Sequence, residues 1–369
     1  MSPAPRESNM DATSFQVDRG DLHQWRWNQA PVADMAPGEV IVEVTRFGLT
    51  ANNITYAKYG DAVQYWQFFP APAPWGQIPV WATGRIAASR NAELAEGENV
   101  YGYFPMASHL KLAPAGIKPV RFIDGAAHRA PLPGTYNEYA RIDHAPDYSP
   151  AHADQHLILR PLFALAFFLA AHLAEADFFG AKRVILTSAS AKTAIATALL
   201  LAAHRPGIEV VGLTSPRSTA FVAKTGHYDA VVPYAEIASL PADVPTVVVD
   251  IAGDGAVRST IHHHLGDSIT RSILVGATHW SADDKAAALP GPTPEFFFTP
   301  SHIVERRKAW GVPLLTQRLG EAWASMLADS PRWLTIEHHA GPAAVERIYQ
   351  AVLAGKVTPD VAPILSLGA

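Results

Sequence analysis

The run Val184-Ile-Leu-Thr-Ser-Ala-Ser-Ala-Lys-Thr-Ala-Ile-Ala196 places Ser188, Ser190, Lys192 and Thr193 between an apolar stretch and an alanine-rich one. A strand that enters a helix through such a turn aims backbone N–H groups and the positive end of a helix dipole at one point. Three hydroxyls and an ammonium there are the chemistry of a phosphate or pyrophosphate site. Glycine, which ordinarily lets the backbone approach a pyrophosphate, is absent from the turn. Alanine must then supply the small size, and side chains some of the donors. The structural alternative is that the hydroxyls cap the helix and Lys192 is solvated, which explains the serines but not the lysine.

The next apolar strand ends in Gly212-Leu-Thr-Ser-Pro-Arg-Ser218, and no Asp or Glu lies between Glu209 and Asp229. An acidic residue near this point holds the ribose 2′-hydroxyl of NAD, whereas cations and hydroxyls suit the 2′-phosphate of NADP. Thr214, Ser215 and Arg217 are of the second kind, with an ordinary exposed turn as the alternative. Reading Ser188 or Ser190 as a hydrolase nucleophile fails on the missing G-x-S-x-G elbow. The stretch Gln64–Trp81 is crowded with aromatics and interrupted by prolines, so it is neither a regular helix nor a central strand. Tyr65, Trp66 and Phe69 make one wall of an apolar substrate pocket, and a polar segment with His128, Arg129, Tyr136 and Asn137 the other. A dimer contact or plain domain core explains the aromatics as well.

Positioning these groups takes more than one core. The chain has 369 residues, 49% hydrophobic and 17% charged, which fits a globular protein of two domains. A net charge of −5 gives no electrostatic footprint for nucleic acid or an anionic membrane. Cysteine is absent, which removes disulfides, thiol nucleophiles and thiolate zinc sites. The N-terminus carries no apolar run of the signal-peptide kind and Pro161–Ala171 is short of a membrane span, so the expectation is a cytoplasmic protein. Residues Leu22 to Ala113 read as short strands, and Ala113 to Gln155 as a long loop. From Leu157 buried β-branched runs alternate with helices, the pattern of a doubly wound, Rossmann-type parallel sheet. Helices follow from Ser301, and Val361–Leu367 reads as a last strand. His262 to His264 read as a helix surface or cap, and Arg306, Arg307 and Lys308 as a solvated face more readily than a phosphate contact.

This order of parts resembles the medium-chain dehydrogenase/reductase superfamily, of the zinc-free, quinone oxidoreductase-like kind. The strings TANNITYAKYGD, YWQFFPAP, GENVYGYFPMASHL and LTSASAKTAIA resemble one branch of it, DUF2855. The resemblance implies an α/β protein with a GroES-like domain at 14–157 that carries an inserted loop at 113–156. A Rossmann-type dinucleotide-binding domain at 158–300 follows, then helices and a strand at 301–369 that return in part to the first domain. It implies NADP(H), no metal, and a homodimer acting on a small apolar organic compound without nucleic acid or membrane partners. By the same resemblance Tyr234 lies beside the 2′-phosphate, and Ala252 and Gly276 flank the nicotinamide. In NNITY, Asn53 orients the substrate and Tyr56 donates a proton, with the register open by one residue and, as the alternative for either, a turn contact or a place in the domain interface. The implied activity is NADPH-dependent reduction of an activated, carbonyl-conjugated compound. The glycine-free turn keeps open a nucleotide-independent lyase, isomerase or hydrolase of a ketone or acyl compound on the same fold.

Overall fold

A computed structural model describes residues 11–145, 148–202, 207–275 and 289–368. The chain divides into two compact units, Met1–Ile158 with Ile336–Ala369, and Leu159–Thr335.

The first unit is built on antiparallel sheet. Strands β1 (Asp11–Asp18), β2 (Trp25–Pro31), β3 (Val40–Gly48), β4 (Trp75–Gly76), β5 (Pro79–Ser89) and β6 (Asn99–Pro105) precede the short β7 (His109–Leu112). Helix α1 (Ala51–Lys58) lies between β3 and β4. β3 and β5 pair with register shifts at Ile41/Val42 and Val44/Arg46. Such bulges bend and twist a ladder, which wraps the sheet over its core. That core joins Phe15, Val42, Phe47, Ile78, Val80 and Phe104 to Val345 and Tyr349 near the C-terminus.

Residues 113–156 depart from the loop read in the sequence. They supply β8 (Pro114–Lys118), β9 (Arg121–Asp124) and β10 (Glu138–Arg141), which extend the same sheet beyond β6. Their strands are too short, and too broken by Gly, Pro and His, to carry a visible alternation. A buried ion pair holds them: Arg129 Nε lies 3.1 Å from Asp124 Oδ2, with both side chains almost fully enclosed.

The second unit is a six-stranded sheet in the order β13-β12-β11-β14-β15-β16, its strands paired in parallel. The strands are β11 (Arg183–Leu186), β12 (Glu209–Thr214), β13 (Ala230–Pro233), β14 (Thr246–Asp250), β15 (Ile269–Leu274) and β16 (Glu295–Phe296). Val184 sits between Val210 and Val247, all three fully buried, as expected of central strands covered on both faces. Helix α2 (Ala153–Glu175) leads in, α3 (Lys192–Ala202), α4 (Thr219–Thr225) and α5 (Gly255–Leu265) cross between strands, and α6 (Thr299–Asp329) follows β16. α2 is longer than the apolar run at Pro161–Ala171 suggested. By length and composition it could cross a membrane, yet 56% of its most apolar window is buried in the protein. α6 belongs to this unit, so the return to the first one begins only near residue 336, with β17 (Thr335–Ala340), α7 (Pro342–Leu353) and β18 (Val361–Ser366).

Candidate functional site

In the second unit the chemistry-bearing turn stands at the C-terminal head of the parallel sheet, where open α/β sheets bind ligands. β11 ends at Leu186 and α3 starts at Lys192. Ser188 holds the left-handed conformation, φ +51°, that usually falls to glycine. The missing glycine stands instead on the neighbouring strand. A Cβ on Gly212 would meet the Ala189 Cβ at 2.8 Å and the Tyr228 ring at 2.8 Å, so the turn's alanine fills space that β12 vacates. Ser190, Lys192 and Thr193 are half-buried at the helix entrance. Beneath them, Thr187 Oγ1 donates to Asp250 Oδ1 at 2.9 Å and accepts the N–H groups of Ile251 and Ala252, each at 2.9 Å. Gly253 N–H adds to Oδ1 at 3.0 Å, and Arg258 pairs with Oδ2 at 3.0 Å. This buried set of Thr187, Asp250 and Arg258 ties the turn to the end of β14. It was missed in the sequence, where its signal was a lone aspartate closing the apolar run Val247-Val-Val-Asp250.

At the end of β12, Thr214 is buried, Ser215 half-buried and Arg217 exposed. Ser215 Oγ donates to Ser218 Oγ at 3.2 Å. Tyr234 lies at the turn: its hydroxyl accepts the Ser188 N–H at 2.9 Å. Ala252 is exposed at the head of β14, whereas Gly276 falls outside the described residues. The basic cluster is mixed. Arg306 is buried and bridges Glu175 at 2.8 Å and Glu305 at 3.2 Å, while Arg307 and Lys308 are exposed. The triple histidine also departs from a mere helix surface: His262 is fully buried between Pro290 O at 2.8 Å and Ser272 Oγ at 2.9 Å.

In the first unit the structure brings Tyr56, Tyr65, Phe69 and Tyr136 together with Phe68, Tyr103 and Trp81 in one aromatic nest. Ring centroids are 4.6 Å apart for Tyr56–Tyr65, 4.7 Å for Tyr103–Tyr136 and 5.6 Å for Tyr56–Tyr103. The Tyr65 and Tyr136 hydroxyls are 3.3 Å apart. Burial pushes the Tyr56 hydroxyl up to about 12, opposed by polar neighbours that include Asn52, whose Nδ2 donates to it at 2.8 Å. Tyr65, Tyr103 and Tyr136 are raised as well, burial again the main cause. These hydroxyls stay neutral around pH 7 and act there as hydrogen-bond donors rather than bases. The Tyr103 hydroxyl is buried and has no hydrogen-bond partner among the described residues. The Asp124–Arg129 pair reaches the nest from behind: Arg129 Nη1 donates to Tyr139 OH at 3.1 Å, and Tyr139 OH donates to the Tyr103 carbonyl at 2.6 Å.

Asn53, Trp66 and His128 stand apart from the nest. Asn53 is buried and spends both amide ends on backbone, accepting Thr50 N–H at 2.8 Å and donating to Pro79 O at 3.0 Å. It therefore anchors α1 to β5, and the asparagine beside the Tyr56 hydroxyl is Asn52, at 2.8 Å. Trp66 is core, packed so tightly that a Cβ on Gly60 would meet its indole at 2.1 Å. It and His128 line a separate cleft of about 320 Å³ with Arg19, Gly60, Asp61, Gln67 and Pro70, not the nest. The short turn Tyr65–Gln67 thus turns Tyr65 to one side and Trp66 to the other.

A GroES-like β unit and a parallel Rossmann-type unit together define the fold of the medium-chain dehydrogenases/reductases. The chain resembles, over nearly its whole length, solved structures of that type. These include the CurK enoyl reductase (15% identity, 96% of this chain and 99% of that one, TM-score 0.57) and the CurF ER cyclopropanase of the curacin A biosynthetic pathway (15%, 96% and 99%, 0.59). CurA from Vibrio vulnificus, solved in complex with NADPH, covers 98% of this chain and 100% of its own at 13% identity and TM-score 0.58. Residues 47–358 match DUF2855, described as a protein of unknown function, and the chain belongs to that family. No curated protein matches it.

Proposed function

We propose that the protein is a zinc-free, NADPH-dependent oxidoreductase that reduces an activated, carbonyl-conjugated bond in a small apolar compound. The observation that carries this reading is the head of the parallel sheet. There a left-handed serine turn, braced by Thr187 and Asp250, opens into α3 beside a strand end that offers hydroxyls and Arg217 but no carboxylate. These residues have the donor chemistry that a dinucleotide needs. Ala189 is accommodated by Gly212, and Ser190, Lys192 and Thr193 would hold the pyrophosphate, with Thr214, Ser215 and Arg217 toward the 2′-phosphate. The bound nicotinamide would supply a hydride. In the first unit, Tyr56 would donate to the carbonyl oxygen or α-carbon, and Tyr65, Phe69 and Tyr136 would shape the apolar surroundings. We further propose that it works in the cytoplasm as a homodimer and without a catalytic metal.

Isothermal titration with NADPH and NADH tests the reading. NADPH is expected to bind more tightly, and Lys192→Ala to weaken it about 10- to 100-fold, the worth of a hydrogen bond to a charged group. No binding of either nucleotide would end it. One observation favours a second reading, in which nucleotide-independent lyase, isomerase or hydrolase chemistry has taken over the fold. The Tyr234 hydroxyl already takes the Ser188 N–H, one of the amides a pyrophosphate would use. Tyr234→Phe frees that amide: tighter NADPH binding supports the reductase, and turnover that persists after nucleotide is stripped supports the alternative.

A further inference from the structure

The cleft that Trp66 and His128 share belongs wholly to the first unit and lies outside the nest. Its volume, about 320 Å³, is that of a site for a small molecule. One wall is rigid. The Trp66 indole is pressed between two glycines: a Cβ on Gly60 would overlap its Nε1, and one on Gly76 would meet its Cε3 at 2.6 Å. The edge that carries the indole N–H therefore lies against Gly60, and both residues line the cleft. The guanidinium carbon of Arg19 stands 5.8 Å from the indole ring centroid. The loop after Phe69 fixes this arginine, whose backbone N–H donates to Pro74 O at 3.0 Å and whose Nη2 donates to Ala71 O at 3.3 Å. Among the described residues its Nε is enclosed without a hydrogen-bond partner, and no carboxylate pairs with the guanidinium.

Such an arginine is short of an acid. A half-buried guanidinium gives up part of its hydration, and a carboxylate is the group that offsets this cost best, through charge-assisted hydrogen bonds. The acid that lines the same cleft, Asp61, is exposed and does not pair with it. Opposite charges that share a cleft without meeting suit a molecule that carries both. A second acceptor is at hand: His128 Nε2 faces Phe68 O at 3.4 Å, so the neutral ring donates there and keeps Nδ1 as an acceptor. We propose that this cleft binds a small amino acid, its carboxylate on Arg19 and the Trp66 indole N–H, its ammonium on Asp61 and His128. Neither the nest nor the turn at Ser188 contributes a residue to the cleft, so the site stands independently of the reductase reading.

Saturation-transfer NMR on the full chain without nucleotide tests this. The probes are glycine, β-alanine and 4-aminobutyrate, whose two charges stand at increasing separation, each against the same chain without its ammonium: acetate, propionate and butyrate. One of the amino acids should saturate with a dissociation constant on the order of millimolar, as suits ion pairs in a cleft open to water. Its ammonium-free counterpart should bind about tenfold more weakly, the worth of one hydrogen bond to a charged group. Arg19→Gln should weaken the amino acid about 10- to 100-fold. Asp61→Asn, at an exposed position, should leave the counterpart where it was and erase the preference for the amino acid. That variant carries the test if circular dichroism shows Arg19→Gln to be unfolded. No saturation by any of the three amino acids, a counterpart that binds as tightly as the best of them, or unchanged affinity in folded Arg19→Gln or in Asp61→Asn would overturn the proposal.

Discussion

Exchanging glycine and alanine between the phosphate-type turn and the strand beside it tests whether Gly212 stands in for the absent turn glycine. In Gly212→Ala the new Cβ would lie 2.8 Å from the Ala189 Cβ, a backbone-fixed atom, and 2.8 Å from the Tyr228 ring. The ring is itself tethered by its hydroxyl, which donates to Ala189 O at 2.8 Å, so neither neighbour can swing away freely. Overpacking of this kind costs about 1–3 kcal/mol. Ala189→Gly alone removes little contact and frees the unfolded chain, for about 0.5–1 kcal/mol. Independent effects would sum, but the double variant removes one of the two clashes. It should be more stable than that sum by about 1 kcal/mol, a coupling of the size seen between touching residues. Urea denaturation of the four proteins, followed by far-ultraviolet circular dichroism, measures it. Gly212→Ala with wild-type stability, or strict additivity in the double variant, would refute the steric account.

Asp250→Ala leaves the buried Arg258 without its carboxylate, so stability should fall by about 3–5 kcal/mol by urea titration. His172 is half-buried and held down to about 4, first by desolvation and then by His302 and nearby arginines. Its unfolded form takes up a proton below about 6.5 that the folded form refuses, so stability should fall as pH drops from there toward 4, and His172→Gln should flatten that slope. The tyrosines of the nest predict the opposite flank. Tyr56 and Tyr139 are both raised to about 12, so their contribution holds below pH 10 and is lost as pH climbs toward 12, measurable as a falling denaturation midpoint. Arg129→Met should loosen Tyr139 and, through it, the Tyr103 backbone, lowering the thermal midpoint more than Arg121→Met, whose partner Glu138 is exposed.

The parallel sheet was legible because Val184–Leu186, Val210–Leu213 and Thr246–Val249 are buried on both faces and written in unbroken β-branched and apolar runs. The turn at Ser188–Thr193 was legible for the same reason, since the strand before it and the alanine-rich helix after it fix its place. Contacts between segments were not. Gly212 answers Ala189 from 23 positions away, and nothing in either local pattern announces the match. The nest was half visible: Tyr65, Phe69 and Tyr136 could be picked out as aromatics in irregular segments. Tyr103 sits inside a regular strand, where an alternating aromatic reads as ordinary core. Trp66 and His128 share a cleft while Tyr65, Phe69 and Tyr136 meet in the nest, a division that sequence does not show because it gives no direction for a side chain on a short turn. Residues 113–156 misled because three short strands, Pro114–Lys118, Arg121–Asp124 and Glu138–Arg141, depend on an existing sheet edge rather than on their own pattern.

The brace under the turn has an electrostatic consequence. Asp250 spends one oxygen on Thr187 and Gly253 and the other on Arg258, and Asp254 spends an oxygen on the first amides of α5, Ala256 and Val257. The aspartate closest to the turn is therefore neutralised from below, and the next is turned into a helix cap. A polyanion arriving at this end of the sheet meets two carboxylates whose oxygens are already engaged, one with Arg258 and the other at the N-terminus of α5.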